Sequence, residues 1–371
     1  MKKFLDCISI VGATPSKFHG TKKYISTGAV ATTEIDESEV VEVTYEDRPS
    51  RANLSAEAGD ILFAKMQGTR KTLLLDSETE KNIYSTGFYA VRANPEVITT
   101  ECLYYLIDSE LFLAQKDKNC SGATQKAITN GGMAKIEISV PPLSEQGILV
   151  DKLKHLTQLI ADKKKQLNLF DEIIKSRFIE MFGDPKLNPR KWDMVTIGDI
   201  ATDVRYGTSR PATEGGKYPY LRMNNLTYEG HLDLTDLKHI DIPDNEIEKC
   251  VVRNGDVLFN RTNSVELVGK TCVYNLDSDM IIAGYIIRVR IDDRVLPVIL
   301  SSYLNSTVMK EQLRSMAKGA VNQANINAQE LRSISIYLPP ITLQHEFATF
   351  VEQVDKSKYH GEFTCGMEVA A

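Results

Sequence analysis

The sequence predicts an α+β fold in which two similar strand-rich domains are joined by a long helix that forms a coiled coil. Three observations carry this reading. Short phrases from the first half return in the second half, in the same order and at a near-constant offset. Between them lie segments with the β-branched enrichment and partial alternation of strands. One stretch of 38 residues, Glu145 to Phe182, contains no proline and repeats apolar residues every three or four positions.

The repetition is specific. Gly59-Asp60-Ile61-Leu62-Phe63 returns as Gly255-Asp256-Val257-Leu258-Phe259, 196 residues later. Gly87-Phe88-Tyr89 with Arg92 returns as Gly284-Tyr285 with Arg288 and Arg290, and Tyr105-Leu106 as Tyr303-Leu304. Ser121-Gly122-Ala123 with Gln125 returns as Lys318-Gly319-Ala320 with Asn322 and Gln323. Pro141-Pro142-Leu143 with Gln146 returns as Pro339-Pro340-Ile341 with Gln344. One match would be chance, but five in register imply two copies of one unit.

Each copy has the same plan. Glu39–Tyr45 and Tyr285–Arg290 read as strands. Gly-Asp before an apolar triplet is a turn feeding a strand. One amphipathic helix follows, over 101–116 in the first copy and 297–316 in the second. A last strand, Ile136–Val140 or Ile334–Leu338, is closed by the Pro-Pro pair, because proline cannot donate into a sheet.

After Pro142, Ser144 caps a helix, with Gly147 a weak spot near its start. Its apolar stripe includes Leu153, Leu156, Ile160, Leu167, Phe170, Ile174 and Phe178, and Gly183-Asp184-Pro185 stops it. Residues 148–191 carry ten Lys/Arg against six Asp/Glu, so the rod is locally basic. A single helix of this length with one apolar stripe needs a partner helix. The second copy begins one at Ile341, with Phe347, Phe350, Val351 and Val354 on the stripe. Periodicity then fails, and Gly361 and Gly366 are expected to end the helix after about four turns. The expected boundaries are 1–143 and 184–340 for the two domains, 144–183 for the long helix, 341–358 for the truncated second helix and 359–371 for an atypical tail.

Composition narrows the function. Hydrophobic residues at 42% and charged residues at 25% exclude bulk disorder, and no apolar run is long enough for a membrane helix. The basic N-terminus is interrupted by Asp6 and reads as the start of a folded domain, which places the protein in the cytoplasm. A net charge of −6 argues against a chain coated in positive charge, although binding to nucleic acid follows local patches. Six scattered cysteines form no CxxC pair, and the six histidines stand apart, so no metal site is expected. No GxxxxGK[ST] phosphate loop is present. The Pro-Pro pairs lack the preceding acid or amide and the following aromatic residue of an adenine methyltransferase. Self-sufficient nuclease or methyltransferase activity is therefore not expected.

The phrases combine into a resemblance. Two variable strand-rich units, each followed by a Pro-Pro-Leu or Pro-Pro-Ile turn, a nearby Gln and a long helix, resemble the specificity subunit of type I restriction-modification systems. So do Pro141-Pro142-Leu143-Ser144-Glu145-Gln146, and Arg177 to Pro185 leading to Asn188-Pro189 and Trp192. The resemblance covers roughly residues 1–357. It implies a non-catalytic subunit whose two target recognition domains each read half of a split site in double-stranded DNA. The helices would set the spacing and dock two methyltransferase subunits, with restriction and translocase subunits joining them. S-adenosylmethionine, ATP and magnesium would belong to those partners and not to this chain. The short second helix departs from the family pattern. It leaves open a self-dimer through the long helix, an inactive allele serving as a recombination donor, and a stand-alone DNA-binding regulator.

Under this resemblance the DNA-facing candidates fall in matched loops. After Phe63 come Lys65, Gln67, Arg70 and Lys71; after Phe259 come Asn260, Arg261 and Asn263. A second cluster is Tyr206, Arg210, Arg222 and Asn224, with Lys22 and Lys23 as its weaker counterpart. Gln125 and Lys126 pair with Asn322 and Gln323 as the third. Arg suits guanine edges and Asn or Gln suits adenine edges in the major groove. Loops after strands tolerate exchange of such side chains without harm to a core.

Overall fold

A computed structural model describes residues 1–123, 125–320 and 323–369; for 318–320, 323 and 359–369 only the backbone is described. The chain divides into two units, Met1–Asp162 and Lys163–Ala371.

In the first unit the strands of the two main sheets are β1 Ile8–Val11, β2 Lys22–Ile25, β3 Val41–Val43, β4 Ala52–Leu54, β5 Ile61–Ala64, β6 Thr72–Leu74, β7 Ile83–Ser85 and β8 Phe88–Ala93. They form two four-stranded sheets, ordered β1-β8-β5-β6 and β3-β2-β7-β4. Helices α1, Thr100–Ile107, and α2, Glu110–Lys118, cover the first sheet. Phe4, Phe63 and Phe112 meet there in tilted and edge contacts.

The second unit repeats the topology. The strands of its two main sheets are β9 Ala201–Tyr206, β10 Tyr218–Leu221, β11 Lys238–Ile240, β12 Val251–Val252, β13 Val257–Asn260, β14 Thr271–Val273, β15 Met280–Ile282 and β16 Ile286–Ile291. The sheets run β9-β16-β13-β14 and β11-β10-β15-β12, so every strand keeps its place with its number raised by eight. In each second sheet one neighbouring pair is parallel, β2 with β7 and β10 with β15. Fold and sequence thus report the same duplication.

Two expected helices are each split in two. Residues 101–116 form α1 and α2, and 297–316 form Pro297–Asn305 and Thr307–Met316. The break falls at a serine that starts a new helix: Ser109 Oγ accepts from Phe112 N–H, and Ser306 Oγ from Met309 N–H.

The long helix α3 spans Leu143–Phe182, and the shorter pair just named are α4 and α5. The exit of α3 explains the phrase that follows it. Trp192 Nε1 donates to Phe182 O at 3.0 Å, Tyr337 Oη to Gly183 O at 2.9 Å, and Arg190 Nη2 to Glu180 O at 2.8 Å. These bonds satisfy carbonyls that a helix end leaves orphaned.

The final helix α6 runs Ile341–Val369, 29 residues. This corrects the expected stop at 358. Gly361 and Gly366 lie inside it, because an interior glycine costs a helix only about 1 kcal/mol. It remains shorter than the 40 residues of α3. Phe347 meets Phe178 and Phe182, while Lys358 meets Asp171, so α6 runs antiparallel to the second half of α3.

Candidate nucleic-acid interface

The Gly-Asp phrase is scaffold. Gly59 and Gly255 adopt φ of 86° and 90°, in the left-handed region that glycine tolerates best. Asp60 accepts from Glu57 N–H at 2.8 Å and from Arg92 Nε at 2.7 Å. Asp256 does the same with Arg253 N–H at 2.9 Å and Arg290 Nε at 2.8 Å. These contacts aim β5 and β13 into their cores, where Phe63 and Phe259 are buried. The chain then emerges into the loops 65–71 and 261–270.

In the first unit, the loop and the 125–126 segment meet. Gln67 N–H donates to Lys126 O at 3.0 Å, and Met66 bridges Ala127. Gln125 and Lys126 are exposed. Gly122 closes this turn at φ 140°, where a Cβ would stand 2.4 Å from Gln125 O. The other candidates hold the loop to the body. Lys65 donates to Thr86 O at 2.9 Å and lies 4.4 Å from the Tyr89 ring centre; burial pushes its pKa down. Gln67 Nε2 reaches Asp117 O, Lys71 reaches Thr27 O, and Arg70 forks onto Asp108 with a further bond to Glu110. The Asp108 hydrogen bond is the main reason the Arg70 pKa is raised. Lys22 and Lys23 sit on the other sheet, Lys22 over Phe18 and Lys23 paired with Glu37.

In the second unit, Asn260 departs from expectation. Its side chain is fully buried, donates to Thr262 O and Tyr285 O, and accepts from Asn263 Nδ2 at 2.9 Å. An amide whose bonds close inside the protein shapes the loop and offers nothing to a base edge. Thr262-Asn263 pairs with the strand Gln323–Asn325, which pairs with Lys318–Ala320. The Arg261 guanidinium lies 4.8 Å from the centre of the Tyr206 ring, whose hydroxyl accepts from Ala328 N–H. Tyr206, Arg261, Asn263 and the backbone of Gln323 therefore converge, while Asn322 lies outside the described residues. Arg210 and Arg222 do not join them: Arg210 forks onto Glu246 and Arg222 pairs with Asp236. Asn224 is exposed beside Arg222. The Arg210 pair is exposed and therefore weak, so a phosphate can replace its carboxylate at little cost, whereas Arg222 is partly buried and also donates to Asp236 O.

The sequence reading missed three buried lysines at these loops: Lys116 and Lys310 on neighbouring helices, and Lys270 at the end of the second loop. On a helix wheel the first two look like any other lysine, and no motif marks any of the three.

Along α3, the predicted packing stripe is filled unevenly. Phe178 is buried, Leu167, Phe170 and Ile174 are partly buried, and so is Leu153. Leu156 and Ile160 remain 40% and 52% exposed, and Ile148, Leu149 and Leu159 lie open near them. In the second unit a cavity of about 770 Å³ lies among α3, α6, α4 and the loop at 227–234. At its wall, Asp171 accepts from His231 Nε2 at 2.9 Å and from Lys358 Nζ at 2.7 Å. Burial favours a higher pKa for Asp171, but these two hydrogen bonds outweigh it and the net shift is downward. Among the described residues, no group of three or more His, Cys, Asp or Glu is placed to hold a metal, and no helix is long and apolar enough to cross a membrane.

Comparison with known proteins gives one consistent result. A family model described as "Type I restriction modification DNA specificity domain" matches residues 10–169 and again residues 189–360. The EcoKI specificity subunit of Escherichia coli K12 is 25% identical over 285 residues, covering 72% of this chain and 61% of that protein. A putative MjaX specificity subunit from Methanocaldococcus jannaschii is 29% identical over 171 residues, 45% of this chain and 40% of that protein. The chain thus spans less than two thirds of these relatives' lengths. Among solved structures, a chain from work titled "Structural basis underlying complex assembly and conformational transition of the type I R-M system" superposes with a TM-score of 0.50. It is 21% identical, with 98% of this chain and 94% of that one covered, a likeness of fold.

Proposed function

This chain belongs to the type I restriction-modification DNA specificity family, and we propose that it is the sequence-reading subunit of such a complex. Each unit reads one half of a bipartite site in double-stranded DNA. The carrying observation is the duplication: two domains of identical strand order, each sending a polar loop out of the Gly-Asp strand. A duplicated reader suits a target with two separate halves. Phosphate contacts would supply affinity, and base-edge contacts from the loops would supply sequence.

The helices α3 and α6 would fix the distance between half-sites and dock two methyltransferase subunits. The support is the apolar stripe at Ile148, Leu149, Leu156, Leu159 and Ile160, which is exposed in the chain alone. The chain itself would do no chemistry. S-adenosylmethionine, ATP and magnesium would be bound by the methyltransferase and restriction subunits, and the complex would act on DNA in the cytoplasm. An inactive donor allele or a stand-alone regulator is less favoured, because α6 extends to Val369 and the stripe calls for helical partners.

Mass measurement on the chain co-purified with its cognate methyltransferase subunit tests this directly. One copy of this chain with two methyltransferase subunits is expected. Absence of any complex would refute the subunit role, and two copies of this chain alone would indicate self-pairing through α3.

A further inference from the structure

Lys116 lies on α2 and is almost completely buried. Its ammonium donates to three carbonyls at the end of β5 and in the loop after it, Ala64 O at 3.3 Å, Met66 O at 2.8 Å and Thr69 O at 2.7 Å, and lies 3.6 Å from the Asp117 carboxylate. Asp117, next along the helix, takes Gly68 N–H at 3.0 Å on its carboxylate and Gln67 Nε2 on its carbonyl. The loop between β5 and β6 has few apolar side chains with which to hold a shape. Its carbonyls turn inward onto a charge that burial would otherwise penalise. Burial is the main cause of the lowered Lys116 pKa.

Lys310 on α5 does the corresponding work in the second unit. It is buried, and its Nζ donates to Gly269 O at 2.7 Å, at the far end of the loop that leaves β13. Its ammonium also lies 5.2 Å from the Tyr228 ring centre. That loop closes through Gly269 N–H to Asn260 O at 2.9 Å. The two lysines do not align in sequence. Counted from the serine caps Ser109 and Ser306, Lys116 is seven residues on and Lys310 four. They are thus one helical turn apart on the same face. Position in the fold, not repeat register, makes them equivalent.

We infer that Lys116 and Lys310 are positioning residues for DNA reading: Lys116 draws in three main-chain carbonyls at its unit's reading loop, Lys310 holds the Gly269 carbonyl of the other, and each so sets its own half-site's specificity. This rests on the reading proposed above. The test is Lys116→Met and Lys310→Met, each in the chain co-expressed with its methyltransferase subunit, with two readouts. In hydrogen exchange, Lys116→Met should speed the Gln67 and Gly68 amides at least tenfold while β5 and β8 keep their protection. In modified-base sequencing, Lys116→Met should relax one half of the methylated motif and Lys310→Met the other, with the gap unchanged. Unaltered loop exchange, or equal relaxation of both halves by one substitution, would overturn the inference. Should Lys116→Met fail to fold, Lys116→Arg keeps the charge but cannot offer the same three-way donor geometry, and the same two outcomes decide. Absence of methylation with the unaltered chain would refute the proposed function, and loop exchange would still decide whether the lysine holds the loop.

Discussion

Gln344 repeats, 198 residues on, the three hydrogen bonds of Gln146. Gln146 Nε2 donates to Val97 O at 3.0 Å and Pro141 O at 2.9 Å, and its Oε1 accepts from Thr99 N–H at 2.7 Å. Gln344 Nε2 donates to Arg294 O at 3.0 Å and Pro339 O at 2.8 Å, and its Oε1 accepts from Leu296 N–H at 2.9 Å. Both side chains are fully buried. Each ties the first turn of a long helix to the segment entering the domain's own helix pair. Here lies the physical meaning of the Pro-Pro phrase and its glutamine: a rigid joint between reader and rod.

Replacing either glutamine with leucine strands three buried polar groups. Gln344→Leu should destabilise the second unit by about 3 kcal/mol and Gln146→Leu the first by a similar amount. Urea unfolding followed separately in each unit checks this. A change below about 0.5 kcal/mol in both would mean that the joint is held by something else.

Lys310 makes stability depend on pH. Its pKa is pushed down to about 7, by burial first and then by Arg314, Lys270 and Lys175, against the pull of Glu229. Between that value and the unfolded lysine's 10.5, the unfolded chain binds the proton more tightly, so stability from this position rises with pH. Wild type should therefore gain on Lys310→Met between pH 7 and 10. A constant gap in denaturation midpoints would refute it.

Asp171 acts at the opposite end of the scale. Its lowered pKa means that its contribution is present above the unfolded carboxylate value and is lost as pH falls through the folded one. Asp171→Asn leaves the mostly buried Lys358 without its closer carboxylate and should cost about 2 kcal/mol near neutrality. The difference from wild type should shrink below about pH 4. Thermal denaturation of both proteins across pH 3 to 7 measures this.

Asn260 and Lys126 separate loop shape from DNA contact. Asn260→Ala should destabilise the second unit by about 1–3 kcal/mol, because it removes a buried amide with three partners. Lys126→Ala should leave stability unchanged. If it meets a phosphate, the slope of log affinity against log salt should fall by about one. Binding titrations at several salt concentrations, run beside unfolding curves, distinguish the two effects.

Much of the fold was legible because repetition and periodicity are global signals. Phe63 and Phe259, the Gly-Asp turns and α3 follow from spacing alone. The splits at Ser109 and Ser306 were not legible, since a serine within an apolar repeat gives no sign that it caps. Nor was the persistence of α6 through Gly361, where backbone geometry tolerates a residue that propensity disfavours. The loops were found from their place in the repeat. The role of each side chain was not, because burial decides it: Asn260 points inward and Gln125 outward in segments of similar polarity. Lys116 and Lys310 escaped for the same reason, as only burial against loop carbonyls distinguishes them from solvated lysines.

The most direct test of a two-part reader is modified-base sequencing of DNA from cells co-expressing this chain with its cognate methyltransferase subunit. The account predicts methyladenine in one split motif: two unrelated half-sites separated by a gap of fixed length. Methylation at a single continuous motif, or none when both proteins form a soluble complex, would contradict it.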